Sequence, residues 1–276
     1  MGGFRLSAAN AGQVVGAGAM LAAFVCKWIG APDALILALL GVLVIAIVVT
    51  VWQGLRSRHV IRERAVAAES LHWKRAESLP EYADAFPGFP FNQGRNREAQ
   101  MVAFGPSAAT FGAIFTLQFT RGSGRFAHVQ HYDVVLVELI HRLPEAYIYP
   151  NDSVESAKMF AGMDRSTFEL AHFNDAWSVT GPDKRFVHGL VHQQLIEVFQ
   201  TFEIRTPICI ANGAIYAWTA KRLTAKQSVD VFLQLLRVRR SIPMYLWEDF
   251  GWAGNPRLNA IYGRDLDAYH PETGQR

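Results

Sequence analysis

From Leu35 to Trp52 the chain reads LILALLGVLVIAIVVTVW, an apolar run without a single charge. A run of that length is enough to cross the hydrocarbon core as a helix. None of its faces carries the polar stripe that a surface helix of a soluble protein would show. Trp52 stands where an aromatic belt residue belongs. These features predict a membrane span over about 34–53. Ala11–Ile29 is a second apolar stretch, richer in Ala and Gly and uncharged until Lys27, with Trp28 at its end. "GAPD" at 30–33 leaves room only for a tight turn, so residues 1–55 read as a transmembrane helical hairpin with spans at about 11–29 and 34–53. A signal peptide is the rival for the first stretch, because Arg5 precedes it. As a lipoprotein signal, "LAAFVC" is poor, since Phe24 and Val25 stand where small residues are needed. Gly12 and Gly16 have the spacing of close helix packing.

Charge sets the orientation. Before Gly54 the charged side chains are Arg5, Lys27 and Asp33, whereas Arg56, Arg58, Arg62 and Arg64 follow the second span. An arginine-rich flank belongs on the cytoplasmic side. The expected location is therefore the inner (plasma) membrane, multi-pass, with both termini and the soluble domain cytoplasmic and the lipid bilayer as a partner. Setting aside Arg5, Lys27 and Asp33 leaves 25 basic and 23 acidic residues for the rest of the chain. So even a balance makes no basic face, and nucleic acid is not expected as a partner. Cys26 lies in an apolar helix and Cys209 in a strand-like segment, which predicts neither a disulfide nor a zinc quartet.

Residues 56–80 read as a charged juxtamembrane helix ending near Pro80. "FPGFPF" at 86–91 follows, and its prolines hold the chain extended. Strand character marks 99–105, 112–122 and 125–140, and the glycine-containing "RGSGR" joins the last two as an antiparallel hairpin. "AYIYP" at 146–150 reads as a short strand or edge, and 167–173 and 176–181 also alternate as strands do. Residues 183–202 space Phe186, Leu190, Ile196 and Phe199 as one helix, with Asp183 as its cap. Asn212-Gly213 signals a hairpin turn between two further strands. Thr224 can cap a second amphipathic helix that ends before Pro243. Strands pair locally and do not alternate strictly with helices, which predicts an α+β domain over 81–252. It would consist of a mostly antiparallel sheet with two packed helices, followed by a loose tail at 253–276.

Chemistry is harder to find. His188 and His192 are four apart on the expected helix and could be two metal ligands on one face, although the glutamate of a catalytic zinc motif is missing. "RGSGR" lacks the Lys-Ser/Thr of a phosphate-binding loop and joins strand to strand. There is no GxSxG, and a cysteine flanked by isoleucines reads as inert core. No cofactor is implied. Phe86, Phe89 and Phe91 are expected to pin the junction between the juxtamembrane helix and the first strand to the core, and the candidates for binding are Phe89, Phe91, Arg95, Arg97 and Trp247. Trp218, Tyr245, Trp247 and Trp252 could line a ligand or partner groove.

The two spans, the "FPGFPF" entry, the glycine-turn hairpin and the segment "FELAHFNDAWSVTGPDKRFVHGLVHQQLIEVF" together resemble a group of uncharacterised actinobacterial membrane proteins. Phe173, Asn174, Trp177, Val179 and Asp183 carry the likeness, which runs from about residue 11 to 251. It implies a bacterial inner membrane and no particular chemistry. The sequence thus predicts a membrane-anchored protein whose cytosolic domain is a binding or scaffolding module, with a possible protein partner in the membrane or cytosol. A membrane-bound hydrolase or metal-dependent enzyme using His188 and His192 is one alternative. An accessory subunit of a larger membrane complex is the other.

Overall fold

The computed structural model describes residues 59–107, 110–153, 160 and 162–253, together with Gly41, Val44, Ile45, Ile47 and Val48, which are helical. Among these residues no helix is long and apolar enough to cross a membrane. The span expected at 11–29, most of the one at 34–53 and the tail beyond Ala253 lie outside the described residues.

The described residues from Glu63 to Ala253 form one compact unit. Its framework is a wholly antiparallel eight-stranded sheet in the order β1-β2-β3-β4-β9-β8-β6-β7. These strands are β1 (Lys74–Ser78), β2 (Arg95–Ser107), β3 (Thr110–Arg121), β4 (His128–Glu138), β6 (Ala146–Pro150), β7 (Trp177–Thr180), β8 (Ile208–Ala211) and β9 (Ala214–Thr219). A separate two-stranded ribbon joins β5 (His141–Arg142) to β10 (Trp252–Ala253). Asn212 and Gly213, with φ of 47° and 80°, make the tight β8–β9 turn that their dipeptide predicts. β6 is the short strand that the sequence suggests, but it lies between β8 and β7 rather than at an edge. All five of its residues are buried, as central position demands.

Both faces of the sheet are covered, and the two-residue period of each strand sorts its side chains between them. Ile114, Val135, Val137, Ile148, Ile208, Ile210 and Ile215 point to the helical layer. Phe115, Leu117, Phe119, Tyr132, Tyr147, Tyr149, Tyr216 and Trp218 point the other way. The first face is mainly aliphatic and the second is rich in aromatic rings. The helical layer contains α1 (residues 59–70), α3 (Ala171–Ala176), α4 (Lys184–Leu190), α5 (Gln193–Gln200), α6 (Ala225–Ser241) and α7 (Met244–Phe250). This is more than the two helices expected. The aromatic face is covered by α2 (Pro80–Ala83), the phenylalanine-proline segment that follows it, and Phe160.

Three local expectations are corrected. The helix predicted over 56–80 ends at Ser70, and residues 74–78 are strand β1. The stop is a Schellman motif: His72 takes φ 55°, its N–H reaches Glu69 O, and the Trp73 N–H reaches Ala68 O at 2.8 Å. A histidine in place of the usual glycine hid that signal. The single helix predicted over 183–202 is two, α4 and α5, broken at Val191 and His192. At about 100° per residue, Phe186, Val187 and Leu190 would face one side of a straight helix and Leu195, Ile196 and Phe199 the other. All six are buried in one core, so the helix has to break and turn. Residues 167–173 are not a strand. The Asn174 side chain accepts from Phe168 N at 3.1 Å and donates to Phe168 O at 2.6 Å, supplying the pairing a neighbouring strand would give.

Close approach fixes where α1 meets the sheet. A Cβ on Gly105 would stand 2.5 Å from the Trp73 ring, and one on Gly112 would stand 2.3 Å from the Phe232 ring. The two glycines let Trp73 and Phe232 pack edge to face, 4.7 Å apart, directly on the backbone of β2 and β3.

Candidate functional site

Polar chemistry concentrates in two places. The first is a buried ionic node under α1. Asp133, at the middle of β4, is fully buried, as is nearly all of the Arg64 side chain facing it 2.8 Å away. Asp133 Oδ1 accepts from Thr116 Oγ1 at 2.8 Å and from Arg222 Nη1 at 2.7 Å, and its Oδ2 accepts from Leu223 N at 2.8 Å. Arg64 Nη1 donates to Ser228 Oγ at 2.8 Å, and the Glu63 carboxylate accepts from Ala225 N. Burial pulls the Arg64 pKa down, and Asp133 opposes the shift. Three hydrogen-bond donors and the Arg64 guanidinium surround this fully buried carboxylate. The node is therefore a fastener that holds α1, β3, β4 and α6 together. Arg64, read from sequence as one of four topology-setting arginines, is spent here.

The second place is an open groove of about 560 Å³ where the aromatic-face cover meets the β8–β9 turn. Asp84–Pro87 form one wall, and Arg142, Leu143 and Asn212 the other. Asn212 Nδ2 donates to Ala85 O at 2.8 Å, so the same turn that closes the hairpin anchors the covering segment. Asp84 is exposed and held by Arg97 Nε at 2.6 Å. Arg142 is half-buried, has no ion pair among the described residues, and keeps its Nε buried without a hydrogen-bond partner. A guanidinium between Phe86, Pro87 and Leu143 suits a carboxylate or phosphate with an apolar neighbour. Sequence reasoning missed Arg142. Its signal would have been a lone cation in a short apolar stretch, "ELIHRLPEA", and that pattern is too common to single out.

The predicted site residues are not brought together. Phe91 is buried in the aromatic core against Phe86, Phe115 and Tyr216, and Phe89 packs on Tyr132 and Trp218 across a cis Phe89–Pro90 peptide. Trp247 packs against the helical core on the opposite face, with its ring 6.4 Å from that of His141. Trp218 and Trp247 thus lie on different sides of the sheet and share no groove. Tyr245 donates to Gly189 O at 3.0 Å. Arg95 is exposed at the start of β2. His188 is exposed beside Phe168, whereas His192 is the N-cap residue of α5 and donates from Nδ1 to Leu190 O at 3.0 Å. The helix break removes the shared face on which a two-histidine metal site was argued. Among the described residues no group of three His, Cys, Asp or Glu could hold a metal ion. Cys209 is fully buried, and burial pushes its thiol well above the ordinary range, so it is not a poised nucleophile.

The motif residues turn out to be scaffold. Phe173 and Trp177 pack on Phe199, Asn174 clamps Phe168, Val179 is buried, and Asp183 Oδ1 caps α4 by accepting from Phe186 N at 2.9 Å.

This architecture has a solved counterpart. The domain shares its fold with the mycobacterial trehalose monomycolate transport factor A, TtfA. The TM-score is 0.50 at 8% sequence identity, and the match covers 67% of this chain and 97% of that one. No protein-family model matches the chain, and no curated protein does. At that identity the likeness is one of fold. It spans nearly the whole transport-factor structure and so concerns the complete architecture rather than a shared hairpin.

Proposed function

We propose that this chain is a membrane-tethered accessory module of a transport system, whose domain binds a protein partner through the groove around Arg142. The observation that carries the reading is the correspondence of fold with nearly all of a transport factor. The groove adds a place for the partner: a guanidinium with no ion pair among the described residues, set between apolar walls, fits an acidic side chain flanked by an apolar one. The ionic node adds rigidity, because it fixes α1, through which the chain enters the domain, to the middle of the sheet. The tether is supported by the uncharged run Leu35–Trp52 and by Val44, Ile45, Ile47 and Val48, helical apolar residues that are each more than half exposed. Arginines at 56, 58 and 62 support an inner-membrane location with a cytoplasmic domain.

Site-specific photo-crosslinking tests this. A crosslinker at exposed Pro87, in full-length protein in native membranes, should trap one defined membrane companion. The product should weaken about tenfold or more with Arg142→Glu, and a crosslinker at Lys184, away from the groove, should not form it. Recovering the chain uncrosslinked from Pro87, or equally crosslinked from both positions, overturns the reading.

A further inference from the structure

An open sheet ends in two edges, whose unpaired backbone groups can receive another strand. Here the edge strands are β1 and β7. β7 is covered: Ser166 bridges to Val179, and its N–H donates to Val179 O at 2.9 Å. β1 pairs with β2 on one side, and among the described residues nothing pairs with the other. This edge is short and sharply bounded. The turn at His72 brings the chain to it, and Pro80 opens α2 soon after it.

The strand reads Lys74-Arg75-Ala76-Glu77-Ser78. Charges on an edge usually guard it against pairing. Arg75 and Glu77, however, are of opposite sign and two residues apart, so they share one face of the strand while Ala76 lies on the other. Pairing with β2 identifies the faces. Arg75 stands opposite Ala103 of the helical-layer core, and Ala76 opposite Val102 of the aromatic core. Arg75 and Glu77 are both exposed, so the helices do not close over them. Neither has an ion pair among the described residues.

This pattern is self-complementary in one register. Facing residues of an antiparallel pair turn their backbone groups the same way, so a two-fold pairing of β1 with a second β1 is centred on a residue. Centred on Arg75 it sets arginine against arginine, and centred on Glu77 it sets glutamate against glutamate. Centred on Ala76 it aligns the whole five-residue strand. Arg75 then faces Glu77 of the second copy, and Glu77 faces Arg75 of the second copy. Ala76 meets its own counterpart without crowding the axis, and Lys74 meets a serine. The longest overlap and the charge balance select the same register.

We propose that two copies of this chain associate edge to edge through β1, about a two-fold axis at Ala76, so that one antiparallel sheet runs through both domains. Two-fold interfaces are the commonest between identical chains, and every contact in them is made twice. Opposite charges facing across paired strands stabilise the pairing, and like charges oppose it. The interface shares no residue with the Arg142 groove, so the two readings stand or fall separately.

The test uses the full chain in detergent carrying Cys26→Ser and Ala76→Cys; the remaining Cys209 is fully buried. Cβ atoms of directly opposed residues lie about 4.5–5.5 Å apart, so a thiol cross-linker of about that span should join two copies. Arg75→Glu and Glu77→Arg, each in that background, should slow the cross-linking about tenfold or more, because each turns both facing pairs into like charges. Mixed together, the two variants should cross-link to each other at close to the original rate, since one chain then presents two acids and the other two bases. Tags of different size identify that product. The doubly reversed chain, Arg75→Glu/Glu77→Arg, should again cross-link to itself. Labelling by a one-armed maleimide should be equal in every variant and circular dichroism unchanged, because the reversed side chains are exposed. Association through another surface does not bring these thiols together and so cannot imitate the result. Absence of cross-linking at position 76, a rate indifferent to the reversals, or no recovery in the mixture overturns the proposal.

Discussion

Asp133 shows how much of this domain depends on one side chain. It sits in a strand whose neighbours, Val134–Val137, are apolar and buried, and its carboxylate accepts hydrogen bonds from Thr116, Arg222 and Leu223 N and faces the Arg64 guanidinium. Removing one member of such a node leaves a buried charge without compensation, which costs about 3–5 kcal/mol. Asp133→Ala should therefore lower the unfolding free energy by about that amount, because Arg64 stays buried beneath α1. The double variant Arg64→Met/Asp133→Leu should recover most of the loss, since apolar pairs of similar volume often replace buried ion pairs without penalty. Urea unfolding of the detergent-purified full chain, followed by tryptophan fluorescence, measures both. A double variant no more stable than Asp133→Ala would show that the node acts through more than its charges.

Among the secondary-structure elements, the junction of α1, α6 and the β2–β3 hairpin has the least slack. Trp73 and Phe232 reach the sheet because Gly105 and Gly112 have no side chain, and Trp73 Nε1 donates to Pro106 O at 2.9 Å. A methyl at Gly112 would meet Phe232 at 2.3 Å and Trp73 at 2.7 Å, so both rings would have to move. Overpacking of this kind costs about 1–3 kcal/mol. Gly112→Ala should lose that much stability and alter near-ultraviolet circular dichroism, where Trp73 contributes. Gly124→Ala is a contrasting control: a Cβ there meets nothing within 4 Å, although φ is 55°. It should cost less, about 1 kcal/mol from backbone strain alone.

For the molecule as a whole, the proposed tether carries a prediction about topology. Of the four arginines after the expected span, Arg64 is committed to the buried node, which leaves Arg56, Arg58 and Arg62 to set the topology. Three cations still outweigh Lys27 in the short turn. A C-terminal alkaline phosphatase fusion should accordingly be inactive and a C-terminal fluorescent-protein fusion bright. The opposite pair of results would overturn the proposed cytoplasmic placement of the domain.

Much of this was legible in the residues themselves. The α+β class, the antiparallel pairing, the Asn212-Gly213 turn and the Asp183 and Thr224 caps are local, because each depends on a few neighbouring residues whose conformational preferences are strong. The β-strands could be read as strands because alternation survives wherever two buried faces differ, mainly aliphatic on one side and rich in aromatic rings on the other. What stayed hidden is either local but carried by an unusual residue, or depends on segments far apart in the chain. His72 ends α1 where no glycine announces it, Asn174 stands in for a missing strand, and α4 and α5 separate because both must face one core. The sequence offers Phe89 and Phe91 two roles, binding or pinning their junction to the core, and folding takes the second, with Phe91 as core and Phe89 packed against it, while Arg142, more than fifty residues away, is left in a groove lined by Phe86 and Pro87. Sequence determines what each short segment prefers, since backbone and capping energies are local. Which side chains become interior, and which cation is left without a partner, is decided when distant segments compete for the two faces of one sheet.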